Sequence, residues 1–100
     1  MTEVETIKRT EDRVTIEPPR KWKVVFFNDD STPMEYVIQV LMEIFNHTEE
    51  HAKEITFAIH TNGRGIAGIY PYEIAEQKAS ETLGDSRNRG YPLTVELEKE

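Results

Sequence analysis

Trp22-Lys23-Val24-Val25-Phe26-Phe27-Asn28-Asp29-Asp30-Ser31-Thr32-Pro33-Met34-Glu35-Tyr36-Val37 passes from one kind of regular structure to another. Residues 22–27 are apolar apart from Lys23, and a short run rich in aromatic and β-branched residues reads as a largely buried strand. Asn28-Asp29-Asp30-Ser31 ends it, because short polar side chains favour turns and helix caps. Thr32 then stands as an N-cap, Pro33 as the first helical position and Glu35 as the third. This is a T-x-x-E capping box in which the missing N–H of proline costs nothing. Tyr36, Val37, Val40, Leu41, Ile44 and Phe45 follow on one helical face, and Asn46-His47 breaks the pattern.

Downstream, Thr48 is placed to cap a second helix, with Glu49 and Glu50 at its positive end. Ala52, Ile55 and Ile59 form its core stripe, Thr56 and His60 lie one turn apart beside that stripe, and Asn62-Gly63 is a C-cap. Residues 65–70 read as a strand weakened by Gly68. Pro71 opens a third helix through Ile74, Ala75, Ala79 and Leu83. Gly84 is expected to fray it after Leu83, and Gly90 ends the segment. Leu93, Val95 and Leu97 alternate with Thr94, Glu96 and Glu98 as a half-buried strand. Upstream, Val4, Ile7, Val14 and Ile16 are isolated apolar residues before Pro18-Pro19, so 1–20 is expected to be a flexible arm and 21–100 the core domain. The expected class is α+β, in the order β-α-α-β-α-β, with three helices on one face of a three-stranded antiparallel sheet.

A chain of 100 residues with 37% apolar residues suits one domain with a modest core. Its net charge of −7 argues against nucleic acid, since phosphate contacts need a concentrated basic surface. The absence of cysteine excludes disulfides, thiolate metal sites and thiol nucleophiles. No apolar run approaches the ~20 residues of a membrane helix. The acidic N-terminal stretch suits neither a signal peptide nor a transit peptide, so a cytoplasmic location is expected.

Asn28, Asp29 and Asp30 gather acceptors at the seam between strand and helix. One reading is a turn that helps to cap the helix. The other is a binding rim, because Thr32 alone meets the needs of a cap and the preceding strand brings apolar side chains beside the seam. His60 likewise suits a helix C-terminus with no further role, and His47 and His51 are expected at the surface. Asp29, Asp30 and His60 are also the residues a small metal-dependent hydrolase would use, but no two ligands share the helical spacing of a zincin and no nucleophile is marked. A purely structural domain, similar in topology to the C-terminal domain of the ribosomal stalk protein, has no need of clustered acceptors.

The stretch 23–37 resembles the signature of the ClpS adaptors, K-V-x-x-x-N-D-D-x-T-P-M-E-F-V. Ala58-Ile59-His60 is similar to the family's A-V-H segment. Gly63, Gly68, Glu73, Ala75-Glu76, Lys78 and Tyr91-Pro92-Leu93 follow in register, so the likeness covers about residues 20 to 98. The resemblance implies a non-catalytic monomer without cofactor or metal. Such an adaptor binds N-degron substrates, proteins that begin with Leu, Phe, Tyr or Trp, and delivers them to a Clp AAA+ unfoldase of ClpA or ClpC type for degradation by ClpP. It implies that Asn28, Asp29 and His60 hold the substrate's α-amino group, with Asp30 and Thr32 at the backbone and rim. Met34, Val37, Thr56, Ile59 and Leu93 become the hydrophobic pocket, Glu73 and Lys78 the surface that faces the unfoldase, and 1–20 an arm that engages it.

A free α-amino group is a compact cation with three donors, which an amide oxygen, a carboxylate and a neutral imidazole can accept. Each charge-assisted bond contributes about 1.5–3 kcal/mol. Burial of the first side chain adds roughly 2–3 kcal/mol, and association costs bring the expected affinity to the micromolar range. Two residues depart from the family pattern. Thr56 stands where many members have Met, which implies a wider entrance that discriminates less against Ile or Val; Ser31 replaces an often aromatic residue.

Overall fold

The computed structural model describes residues 6–10, 13–17 and 20–100, the first two runs as backbone only. Strands β1 (Thr6–Thr10) and β2 (Arg13–Glu17) pair antiparallel with Ile7 opposite Ile16. The sequence reading anticipates no strand there, because the alternation over Val14-Thr15-Ile16 is too short to stand out. The expected flexible arm falls in part on 1–5, 11–12 and 18–19, which lie outside the described residues.

β3 (Lys21–Phe27) is the centre of a three-stranded antiparallel sheet, between β4 (Arg64–Pro71) and β5 (Thr94–Lys99). Helices α1 (Met34–Glu43), α2 (Glu49–Asn62) and α3 (Tyr72–Asn88) complete the order β-α-α-β-α-β, as expected. The central place of β3 explains its near-continuous apolar run. Val24 and Phe26 enter the core under the helices, whereas Val25 faces the other side and is also fully buried, paired with Ile66 and Glu96. The register shifts between Val24 and Val25, so that Ala67 is an extra residue in β4. At Gly68 the Tyr70 ring occupies the space a β-carbon would fill, which accounts for glycine in mid-strand.

The core joins Val24 and Phe26 to Tyr36, Val37, Val40, Leu41 and Phe45 of the α1 region, Ala52 and Ile59 of α2, and Ala75 and Ala79 of α3. Phe26 meets Phe45 edge-on with ring centroids 5.5 Å apart. Thr48 caps α2 by accepting the His51 N–H at 3.1 Å, and Gly63 ends it at φ +88°, both as expected. His51 is exposed, but His47 is half-buried and donates from Nε2 to the Ala67 carbonyl at 2.5 Å.

Two expectations need correction. α1 begins at Met34, and its N-cap is Pro33, which offers no side-chain bond. Thr32 and Glu35 form no capping box, because the Thr32 hydroxyl donates to Asp29 instead. α3 does not fray after Leu83; it runs through Gly84 to Asn88. Tertiary contacts hold its last turn. The Tyr36 hydroxyl donates to Asp85 at 2.6 Å, and the Ser86 carbonyl accepts the Tyr91 N–H at 2.9 Å. These bonds, together with fully buried Thr82 and Ser86, offset the propensity cost of one glycine, about 1 kcal/mol.

Candidate functional site

Where β3 runs into the turn before α1, its end meets the C-terminus of α2. The Asn28 N–H donates to the Gly63 carbonyl at 2.9 Å, which sets Asn28 beside the last turn of α2, where His60 projects. Between them opens a small cleft lined by Phe27, Asn28, Asp29, Thr32, Met34, Val37, Thr56, Ile59, His60 and Leu93. Nine of the sequence-expected site residues therefore converge from the turn, α1, α2 and the lead-in to β5. Asp30 does not line the cleft and is exposed. Glu73 and Lys78 lie on α3, outside the cleft.

Phe27 is a lining residue that the sequence reading missed. It reads as the last residue of a buried strand, and nothing in its spacing shows that this strand end borders a cleft. Arg87 was missed as well. Its guanidinium donates to the Tyr91 and Leu93 carbonyls, each at 2.9 Å, and so ties the segment that carries Leu93 to the end of α3.

Asp29 organises the turn. One carboxylate oxygen accepts the Ser31 and Thr32 N–H groups at 2.8 and 2.7 Å, and the other accepts the Thr32 hydroxyl at 2.8 Å. Burial alone would raise its pKa. The bonds from Thr32 and Ser31 and the positive charge of Arg87 outweigh that, and the carboxyl is held below its ordinary value. It therefore stays anionic at the cleft rim. Thr56 is buried at the cleft, and its hydroxyl is committed to the Ala52 carbonyl, to which it donates at 2.8 Å. Below the polar rim, Val37, Ile59 and Leu93 form an apolar floor that is less than 10% exposed.

Lys78 has a structural task. Its ammonium donates to the Ile44 carbonyl at the end of α1 at 2.6 Å and lies over the rings of Phe45 and Tyr70. Among the described residues no group of three His, Cys, Asp or Glu side chains could hold a metal ion, and no helix is long and apolar enough to cross a membrane.

Fold and site together define a small α+β binding module, with an apolar slot under a rim of hydrogen-bond acceptors. Residues 17–96 match the family described as ATP-dependent Clp protease adaptor protein ClpS. The ClpS protein of Deinococcus radiodurans is 42% identical, over 96% of this chain and 81% of the relative. That of Clostridium acetobutylicum is 46% identical, over 82% of this chain and 81% of the relative. In structure, ClpS2 of Agrobacterium tumefaciens, solved with L-phenylalaninamide bound, is similar at a TM-score of 0.79. It is 33% identical, and the match covers 82% of this chain and 99% of that one. The chain belongs to the ClpS family, a family of Clp protease adaptors and not of enzymes.

Proposed function

We infer that the cleft captures the N-terminal residue of a substrate protein, with the α-amino group held by Asn28, Asp29 and His60 and the first side chain on Met34, Val37, Thr56, Ile59 and Leu93. The observation that carries this reading is the meeting of those three acceptor residues in one cleft with Met34, Val37, Ile59 and Leu93. Phenylalaninamide, bound by the Agrobacterium relative, has a free amine and a benzyl group, the same pairing of chemistries. The Asp29 carboxylate, already anionic and fixed by three hydrogen bonds, meets an ammonium group without rearrangement. Thr32 and, farther out, Asp30 border the path by which the substrate backbone leaves. Leu, Phe, Tyr and Trp fit the slot best, because they bury the most apolar area.

On this reading the adaptor passes its substrate to a ClpA- or ClpC-type unfoldase for ClpP-dependent proteolysis in the cytoplasm, acting as a monomer when free. Glu73, exposed in the first turn of α3, and Lys78 one turn further on would border the docking surface. The hydrolase alternative has no support: Asp30 lies outside the cleft, and among the described residues no group of three His, Cys, Asp or Glu side chains could hold a metal ion.

The deciding experiment measures fluorescence anisotropy with a labelled peptide that begins with Phe, either free or N-acetylated. Free peptide is expected to bind in the micromolar range, and acetylation to cost at least about tenfold. Equal binding of the two peptides refutes the amine clamp. The same assay with Ile or Val first tests Thr56. Because Thr56 is shorter than Met, these peptides should bind within about tenfold of Leu, a difference near 1.4 kcal/mol; the longer side chain of Thr56→Met should widen the gap.

A further inference from the structure

We propose that Met34 is a modification site, where oxidation of its thioether by hydrogen peroxide turns off capture of the first side chain. This rests on the reading of the cleft as the seat of that side chain. Met34 lines the cleft with Val37, Thr56 and Leu93, yet it is 43% exposed, so an oxidant reaches it in the free protein. The chain has no cysteine to react ahead of it, and its sulfur resides in three methionines. Of these, Met42 is 37% exposed on α1 and lines no part of the cleft. Comparable exposure with a different position makes Met42 an internal control.

The step balances without a further reactant. A lone pair on the Met34 sulfur attacks one peroxide oxygen; the S–O bond forms as the O–O bond breaks, and the departing hydroxide leaves as water after proton transfer. The thioether is oxidised by two electrons to a sulfoxide, and the peroxide is reduced to water. The consequence follows from the place of the side chain. A sulfoxide is strongly polar, and a bound aromatic or aliphatic side chain would strip its water in a cleft lined by Val37, Ile59 and Leu93. The hydroxyls of Thr32 and Thr56, which line the same cleft, are already given to Asp29 and to the Ala52 carbonyl, each at 2.8 Å. Reduction of the sulfoxide restores an apolar wall, so the change is reversible.

The test uses the full chain. Protein is treated with peroxide, the added oxygen is located by peptide mapping, and affinity for the Phe-initiated peptide is measured before treatment, after it, and after methionine sulfoxide reductases. Expected are sulfoxide at both Met34 and Met42, a loss of affinity of about tenfold or more, and recovery on reduction. Saturating peptide should protect Met34 and leave Met42 reactive. Met42→Leu should respond to peroxide as the parent does. In Met34→Leu, whatever its starting affinity, the ratio of treated to untreated affinity should be one. Full oxidation of Met34 with unchanged affinity, or a loss that persists in Met34→Leu, overturns the proposal. Untreated protein that ignores the peptide altogether would instead bring down the reading of the cleft on which the proposal rests.

Discussion

Asp29 has two tasks in one carboxylate. It gathers the Ser31 and Thr32 N–H groups and the Thr32 hydroxyl, and it is the anion at the cleft rim. Its depressed pKa gives the first task a pH signature. Because the folded value lies below the ordinary 3.8, its stabilising contribution is complete above that pH and is lost as pH falls through the lower folded value. In Asp29→Ala the urea midpoint should drop by the equivalent of about 1–3 kcal/mol at pH 7, and the decline of the midpoint with acid below pH 4 should become shallower. An acid limb identical to that of the parent would show that the turn does not depend on this carboxylate. The sequence reading treats Asn28 and Asp29 as surplus to helix capping. For Asp29 that premise is wrong, because Thr32 is one of its donors and not an independent cap. The residue was still singled out, since short acceptors crowded at the end of a strand mark a site whichever hydrogen bond each one makes.

At the scale of elements, α2, which carries Thr56, Ile59 and His60 of the cleft, packs closely on the start of β4. Gly65 permits this approach. A β-carbon there would lie 2.7 Å from Cγ1 of Ile59 and 3.5 Å from the Ile55 carbonyl. Ile59 is part of the cleft floor, so Gly65→Ala should push it into the cleft, toward the space that a first side chain would need on the proposed reading. The expected result is a several-fold weaker Kd for Phe-initiated peptide, together with a stability loss of about 1–3 kcal/mol from overpacking. Unchanged affinity with lowered stability would mean that the strain is relieved away from the cleft. The elements themselves were largely legible. β3, α2 and β5 each announce themselves through an apolar run, a cap pair or strict alternation. The start of α1 and the persistence of α3 past Gly84 were not legible, because each depends on partners distant in sequence or on a competing local hydrogen bond. Asp85, for instance, is held by Tyr36, 49 residues away.

At the scale of the whole molecule, α1 and α3 are tied by that same bond, with Arg89 over the Tyr36 ring and Tyr91 against it at 4.8 Å. Burial, the hydrogen bond to Asp85 and its negative charge raise the Tyr36 pKa above its ordinary value of 10.0. A raised folded pKa means a contribution fully present below pH 10 and lost as pH rises through the higher folded value. Tyr36→Phe should therefore cost about 1–2 kcal/mol at neutral pH and flatten the fall in thermal stability above pH 10. An equally steep alkaline limb in the variant would place that titration elsewhere, for example at Tyr70, whose pKa burial also raises. The sequence by itself determined the order of elements from β3 onward, the family and the roll of acceptors and apolar residues, because strand, helix and turn preferences act over a few residues and leave periodic traces. Only the tertiary structure decided that Asn28 reaches α2 through the Gly63 carbonyl, that Phe27 joins the cleft while Asp30 does not, and that Lys78 turns inward to α1. Those outcomes rest on hydrogen bonds and packing between segments tens of residues apart, where geometry and not local preference selects the partner.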